Sequence, residues 1–309
     1  MARESAAILL RGVSKRYGAR NAVSELDLAV ATGETLGFLG PNGAGKTTTL
    51  RMMMGFLRPS AGSVQLLGAD MSSRTQALSV LREVGYVPDS AGLDPAAKGT
   101  QLLDDLAALQ QVPALDRTEL IDALELDVGD LQRPMGRLSR GTRQKINIVQ
   151  ALQHRPRLMI LDEPTEGLDP ITKRAFFGLL EIARERGATI FFSSHNLDEV
   201  EAFCRRVALI RAGTLVAVDR IEDLRAHLQR RVRVVFANGR SQSIRRQLLR
   251  LQGIDDFEPI GDGWRYRIAN LTSLLQLLAS LPVHDLSIEP PSLEDIFFDA
   301  YHAGKKRHD

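Results

Sequence analysis

Gly40-Pro41-Asn42-Gly43-Ala44-Gly45-Lys46-Thr47 follows the pattern G-x-x-x-x-G-K-[ST], between an apolar run at Thr35 to Leu39 and a segment with helical spacing. The residue types explain what such a loop can do. Glycines let successive backbone N–H groups turn inward around phosphate oxygens, and the N-terminus of the helix that follows adds positive potential. Lys46 would reach the β- and γ-phosphates of a nucleoside triphosphate, the Thr47 hydroxyl would ligate Mg2+, and Thr48 closes the phosphate-binding run.

A second chemical cluster lies downstream. Leu158 to Leu161 is an apolar run that ends in Asp162-Glu163-Pro164. The apolar part alone reads as an ordinary buried strand. Adjacent carboxylates at its C-terminal end are different, because open α/β sheets bind ligands at those ends. Asp162 is expected to hold Mg2+, directly or through water, and Glu163, pointing elsewhere, to polarise an attacking water.

Bringing these clusters together requires a sheet. Residues 7–12 and 22–30 read as strands, as do Ser63 to Leu67, Val84 to Val87 and Thr189 to Ser193, with a helix at 171–186. Strands alternating with helices predict an α/β fold with a parallel sheet and crossovers. Between them, residues 89–150 turn helical and predict a subdomain placed on that sheet. Asp116 followed by Glu119 predicts an N-terminal capping box there. From residue 221 the pattern changes. Val232, Val234 and Phe236 alternate with Arg, Gly261-Asp262-Gly263 signals a hairpin, and the order β-α-β-β-α-β predicts a second, α+β ferredoxin-like domain. The expected division is 1–220 and 221–309.

Composition narrows the classes. The chain has 309 residues, 44% hydrophobic and 25% charged, enough for cores in about two domains by the usual prior of roughly 150 residues each. Lys and Arg number 40 against 38 Asp and Glu, a balance that gives no reason to expect nucleic acid as a partner. The lone cysteine, Cys204, excludes an intrachain disulfide and fits a reducing compartment. No apolar run approaches the ~18 residues of a membrane span. The expectation is a soluble, cytoplasmic protein; if it works at a membrane, a partner must bring it there.

Three more motifs, in order, make the chain resemble an ATP-binding cassette (ABC) protein over about residues 7–220. Leu138-Ser139-Arg140-Gly141-Thr142-Arg143-Gln144 resembles the LSGGQ signature, Gly167-Leu168-Asp169 the D-loop, and Ser193-Ser194-His195 the switch histidine. Tyr17 lies where that family has an adenine-stacking aromatic. The resemblance implies a P-loop NTPase core, ATP and Mg2+ as cofactors, and a second cassette, most simply another copy of this chain. The paired cassettes would trap ATP between the phosphate loop of one and the signature residues Ser139 and Gly141 of the other, with Asp169 of the D-loop a further nucleotide-binding candidate. Each residue also has a plainer account: Ser139 and Asp169 as helix caps, His195 as a core histidine, Tyr17 as a surface aromatic. The chain departs from the pattern at Asp89, where glutamine is usual. A carboxylate there can still accept from a Mg2+-bound water, so Asp89 joins Thr47 and Asp162 as a metal-side candidate. Arg140 and Thr142 replace Gly and Gln of the signature. Arg140 would either reach phosphate in trans or face solvent.

Pro291-Ser292-Leu293-Glu294-Asp295-Ile296-Phe297 resembles the ending of ATPase subunits of type-2 ABC exporters. That resemblance implies a separate membrane permease, docked through the helical subdomain around 89–115, and an accessory or regulatory role for the C-terminal domain. Catalysis would fall to Lys46, Glu163 and His195. The competing readings are a soluble ABC ATPase acting on ribosomes, nucleic acid or an assembly complex, and a nucleotide-binding module that switches without hydrolysis.

Overall fold

The computed structural model describes residues 6–89, 94–111, 116–226, 229–237 and 239–291. The chain divides into two compact units, Met1–Asp219 and Arg220–Asp309.

The first unit begins with a hairpin, β1 (Ala6–Tyr17) and β2 (Arg20–Ala31), joined through Gly18 and Ala19. So short a connection forces antiparallel pairing. With β4 (Ala61–Leu66) and β5 (Ala69–Asp70) they make a separate four-stranded antiparallel sheet, order β2-β1-β4-β5. The parallel sheet expected from the alternation of strands and helices is present beside this layer. The parallel sheet begins only at β3 (Thr35–Leu39), every residue of which is buried.

The six-stranded sheet has the order β10-β9-β3-β8-β7-β6, where β6 is Val84–Val87, β7 Leu158–Asp162, β8 Thr189–Ser194, β9 Arg206–Arg211 and β10 Thr214–Arg220. β3, β6, β7, β8 and β9 run parallel, in registers that set Leu39 beside Ser194, Asp162 beside Ser193 and Val87 beside Leu161. The C-terminal ends of these strands therefore share one edge. Between β3 and β7 run α1 (Lys46–Met53), α2 (Arg74–Val80), α3 (Gly99–Gln110), α4 (Arg117–Ala123), α5 (Val128–Leu131) and α6 (Arg140–Leu152). α7 (Pro170–Glu185) and α8 (Leu197–Phe203) follow β7 and β8. Core contacts come from Leu36 and Phe38 of β3, Leu50 and Met53 of α1, Ile160 of β7 and Phe191 of β8, all with essentially no exposure. Each such side chain contributes about 1.5–3 kcal/mol on burial.

Asp116 corrects a local expectation. It precedes α4 but makes no cap hydrogen bond. Its carboxylate instead accepts from Arg155 Nε (2.8 Å) and Arg186 Nη1 (2.6 Å), tying the start of α4 to the ends of α6 and α7. Two guanidinium groups outbid a backbone N–H for one carboxylate.

In the second unit α9 (Ile221–Ala226) precedes β11 (Arg230–Phe236), α10 (Gln242–Leu248), β12 (Ile254–Ile260), β13 (Gly263–Ile268), α11 (Leu271–Leu278) and β14 (Val283–Glu289). The sheet order is β12-β13-β11-β14 with every pair antiparallel, the ferredoxin-like arrangement. Alternation along β11 buries Val232, Val234 and Phe236 while Arg233 is exposed. They pack with Tyr266, Leu248 and Leu274. Gly261 and Asp262 form the two-residue hairpin turn, with Gly261 at φ 52°. Of the Pro291–Phe297 motif, Ser292 to Phe297 lie outside the described residues.

Candidate active site

The phosphate loop leaves β3 at Gly40, where only glycine fits: a Cβ would lie 2.3 Å from the Ile210 carbonyl oxygen. Gly45 ends the loop at φ 109°, and a Cβ there would stand 2.6 Å from Ala22 O. α1 starts immediately, with no side chain capping it. Its first-turn N–H groups thus remain directed at the loop, as an anion-binding helix end requires. Lys46 is buried to 6% exposure and donates to Gly40 O (2.6 Å). Its ammonium also pairs with Glu163 Oε1 at 3.2 Å.

Glu163 continues β7 beyond Asp162 with φ 48°, an uncommon conformation for a non-glycine residue. That turn sends successive carboxylates different ways. Glu163 Oε2 meets His195 Nδ1 at 2.8 Å, at the end of β8, so Glu163 sits between Lys46 and His195. Asp162 is fully buried; Ser193 Oγ donates to its Oδ1 (3.2 Å), and Oδ2 has no hydrogen-bond partner among the described residues. Burial pushes the Asp162 carboxyl up to about 6, opposed by the Thr47 and Ser193 hydroxyls. A buried carboxylate oxygen without a partner, next to a threonine hydroxyl, is a hard-oxygen donor set that fits Mg2+.

A cleft of about 870 Å3 gathers most of the expected residues. Pro41, Asn42, Gly43, Gly45, Lys46, Thr47 and Thr48 line it on one side, and Asp89, Glu163 and His195 on another. Tyr17 stands at its margin, 49% exposed, with Lys15 Nζ 5.4 Å from the ring centroid. Gly40 and Ala44 are buried behind the loop. Burial, together with Glu166 and Glu163 nearby, raises the Asp89 carboxyl above its ordinary range, with Arg140 opposing.

Of the signature segment, Arg140 reaches the cleft. The described lining of this cleft does not include Ser139, Gly141 or Asp169. Ser139 is exposed and caps α6, accepting from Thr142 N–H (3.0 Å). Asp169 caps α7, accepting from the Thr172 hydroxyl (2.6 Å), the Thr172 N–H (3.0 Å) and the Ile171 N–H (2.9 Å); these bonds, Thr172 first, lower its carboxyl to about 2. Both capping accounts hold. Neither occupies the exposed Ser139 hydroxyl's whole capacity, since an oxygen of that kind offers further lone-pair directions.

Residues 23–166 match the ABC transporter family. The chain is 30% identical over 297 residues, 93% of its own length and 96% of the relative's, to an uncharacterized ABC transporter ATP-binding protein, YhaQ, of Bacillus subtilis. It is 36% identical to Nod factor export ATP-binding protein I of Burkholderia orbicola, covering 69% of this chain and 70% of that protein. A solved ATP-binding subunit of an ABC transporter superposes with TM-score 0.66 at 26% identity, covering 71% of this chain and 92% of that one. The chain belongs to the ABC transporter family.

It is an ATP-binding, ATP-hydrolysing subunit of that family, with ATP and Mg2+ as cofactors. The site fits both: a glycine cradle and uncapped helix end for phosphates in the cleft, and Thr47 with Asp162, which line the adjoining groove, for the metal. Sequence reasoning missed Glu166, which pairs with Arg140 at 2.6 Å, and Arg20, which lines the cleft. The signature segment, with Arg140, Arg143 and one glycine, carries no signal that singles out Glu166. The sequence marks Ser193 only as part of a strand end, whereas the parallel register of β7 and β8 places it against Asp162.

Proposed function

We propose that this chain is the ATPase subunit of a type-2 exporter, working as one of two cassettes beside a separate membrane permease. The observation that carries the reading is the split of the site. One cleft holds Lys46, Thr47, Glu163 and His195, while Ser139 and Gly141, at the start of α6, are not part of its described lining, so a second cassette would complete each site.

In this reading the loop amides from Gly43 to Thr47 bind phosphate oxygens, and Lys46 supplies the positive charge facing the β- and γ-phosphates. Tyr17 takes the base. Thr47 and Asp162 hold Mg2+, whose chemistry is to polarise phosphoryl oxygens and screen their charge. Glu163 accepts the proton of the attacking water, and His195 fixes the orientation of that carboxylate through Nδ1. Ser139 and Gly141 face the γ-phosphate of the opposite cassette, flanked by Asp169.

Export is supported by the similarity to a Nod factor export ATP-binding protein and to the bacitracin transport protein BcrA of Bacillus licheniformis, at 36% identity each. An apolar groove of about 800 Å3 supports a docked permease. It runs between the sheet and α3, lined by Phe56, Leu78 and Leu109, which are 62%, 58% and 71% exposed. The same groove reaches Asp89, Thr47 and Asp162, which offers a direct route from docking to chemistry. No helix among the described residues is long and apolar enough to cross a membrane. The C-terminal unit is assigned an accessory role.

Substituting Glu163→Gln tests the assignment. Phosphate release is expected to fall at least about a hundredfold, with Mg-ATP binding retained. Turnover that survives the substitution would remove Glu163 from the role of base.

A further inference from the structure

The cleft that is to hold a triphosphate is crowded with acid. Asp89, Glu163 and Glu166 all line it. Lys46 is engaged by Glu163, which leaves Asp89 and Glu166 in need of another counter-charge. Arg140 provides it. Its guanidinium pairs with Glu166 Oε1 at 2.6 Å. The aliphatic stem lies along the next residue, since a Cβ on Gly167 would be 3.2 Å from both Arg140 Cγ and Cδ. Two further contacts bind the same segments: Gln144 Nε2 donates to Pro164 O (2.8 Å), and a Cβ on Gly141 would stand 2.9 Å from Gly167 O. The start of α6 and the loop after β7 are thus joined by charge, by a hydrogen bond and by close packing.

Neither sequence expectation for Arg140 describes this arrangement. The side chain, although 58% exposed, is committed within its own chain rather than free in solvent. A reach toward another protomer's phosphate would break the Glu166 pair and leave that carboxylate uncompensated beside Asp89.

We propose that Arg140 is a positioning residue acting in cis: through Glu166 it neutralises the acidic wall of the phosphate cleft and thereby holds Asp89 where it can serve the nucleotide site. The substitution of Gly by Arg in the signature and the acid at residue 89 are then one device. The carboxylate at 89 needs the cation at 140, whereas a neutral glutamine would not. The proposal rests on the cleft being the Mg-ATP site.

A double-substitution cycle on the full-length protein tests it, with Arg140→Ala and Asp89→Gln alone and together. The readouts are the KM for Mg-ATP, the Mg2+ concentration for half-maximal rate, kcat, and binding of a fluorescent ATP analogue. In the native background Arg140→Ala is expected to raise KM and the Mg2+ requirement by about tenfold, with a smaller change in kcat. In the Asp89→Gln background the same change is expected to cost less than about twofold. The exchanged pair Arg140→Glu with Glu166→Arg is expected to recover much of the loss. Equal fold-changes in both backgrounds would overturn the proposal, as would an effect confined to kcat, which is the behaviour of a residue acting on a partner's nucleotide. If the unaltered protein does not bind Mg-ATP, the site reading fails and the proposal with it. Additivity with intact binding defeats the proposal alone. Unchanged melting temperatures for the exposed Arg140 variants separate either result from unfolding.

Discussion

Asp162→Asn removes a charge from a fully buried group while keeping its shape. Burial raises the Asp162 carboxyl from 3.8 to about 6, so the folded protein holds that proton more tightly than the unfolded chain does. The sign follows from linkage. Below about pH 4 the group is protonated in both states and costs nothing; above about pH 6 its ionisation disfavours the native state in full. A shift of roughly two pKa units corresponds to about 3 kcal/mol, an upper figure because Asn retains a polar amide to satisfy. Asp162→Asn is therefore expected to stabilise the first unit by about 2 kcal/mol at pH 7.5 and by almost nothing at pH 4. Mg2+-dependent turnover should be lost at the same time. The single tryptophan, Trp264, lies in the second unit, so urea unfolding in metal-free buffer should be followed by circular dichroism. A stability difference that is the same at both pH values would refute the reasoning, as would destabilisation at pH 7.5.

Three other outcomes are expected. Asp116→Asn should destabilise the protein by about 2 kcal/mol, because Arg155 and Arg186 lose a shared charged acceptor. Those guanidinium groups, Arg155 first, hold the Asp116 carboxyl below its ordinary range, so its contribution should be complete at neutral pH and fade as acid protonates it; pH-dependent denaturation of the two proteins checks this. Ser139→Asp should preserve the α6 cap, and hence the melting temperature, but reduce ATPase activity, because a carboxylate repels the phosphate it is meant to receive; Ser139→Ala should cost about 1 kcal/mol through the lost cap. Gly40→Ala should cost roughly 2–3 kcal/mol and abolish nucleotide binding, since the new methyl meets the Ile210 carbonyl; calorimetric titration with Mg-ATP reads the loss.

The phosphate loop and the acidic strand end were legible because their chemistry is local. Glycine spacing, a lysine and a hydroxyl within one turn carry the loop, and an apolar run ending in acid carries β7. The ferredoxin-like unit was legible for a similar reason, since alternation along β11 and the Gly261–Asp262 turn are short-range signals. Sheet membership was not, because β1, β2 and β4 look like any other short strands; only their connections and partners separate them into an antiparallel layer. Asp116 shows the same limit. A cap is predicted from neighbours in sequence, whereas the two arginines that capture its carboxylate follow the ends of α6 and α7, far along the chain. Arg140 is the case at the site itself. Its partner, Glu166, is brought to it by the loop after β7, which nothing in the signature segment announces.

The most direct test of the central claim is the mass in solution of the Glu163→Gln protein at saturating Mg-ATP, alone and with its permease. Two cassettes closing over nucleotide predict a species of twice the chain mass that returns to one chain when the nucleotide is removed. A single-chain mass under every saturating condition would contradict the account.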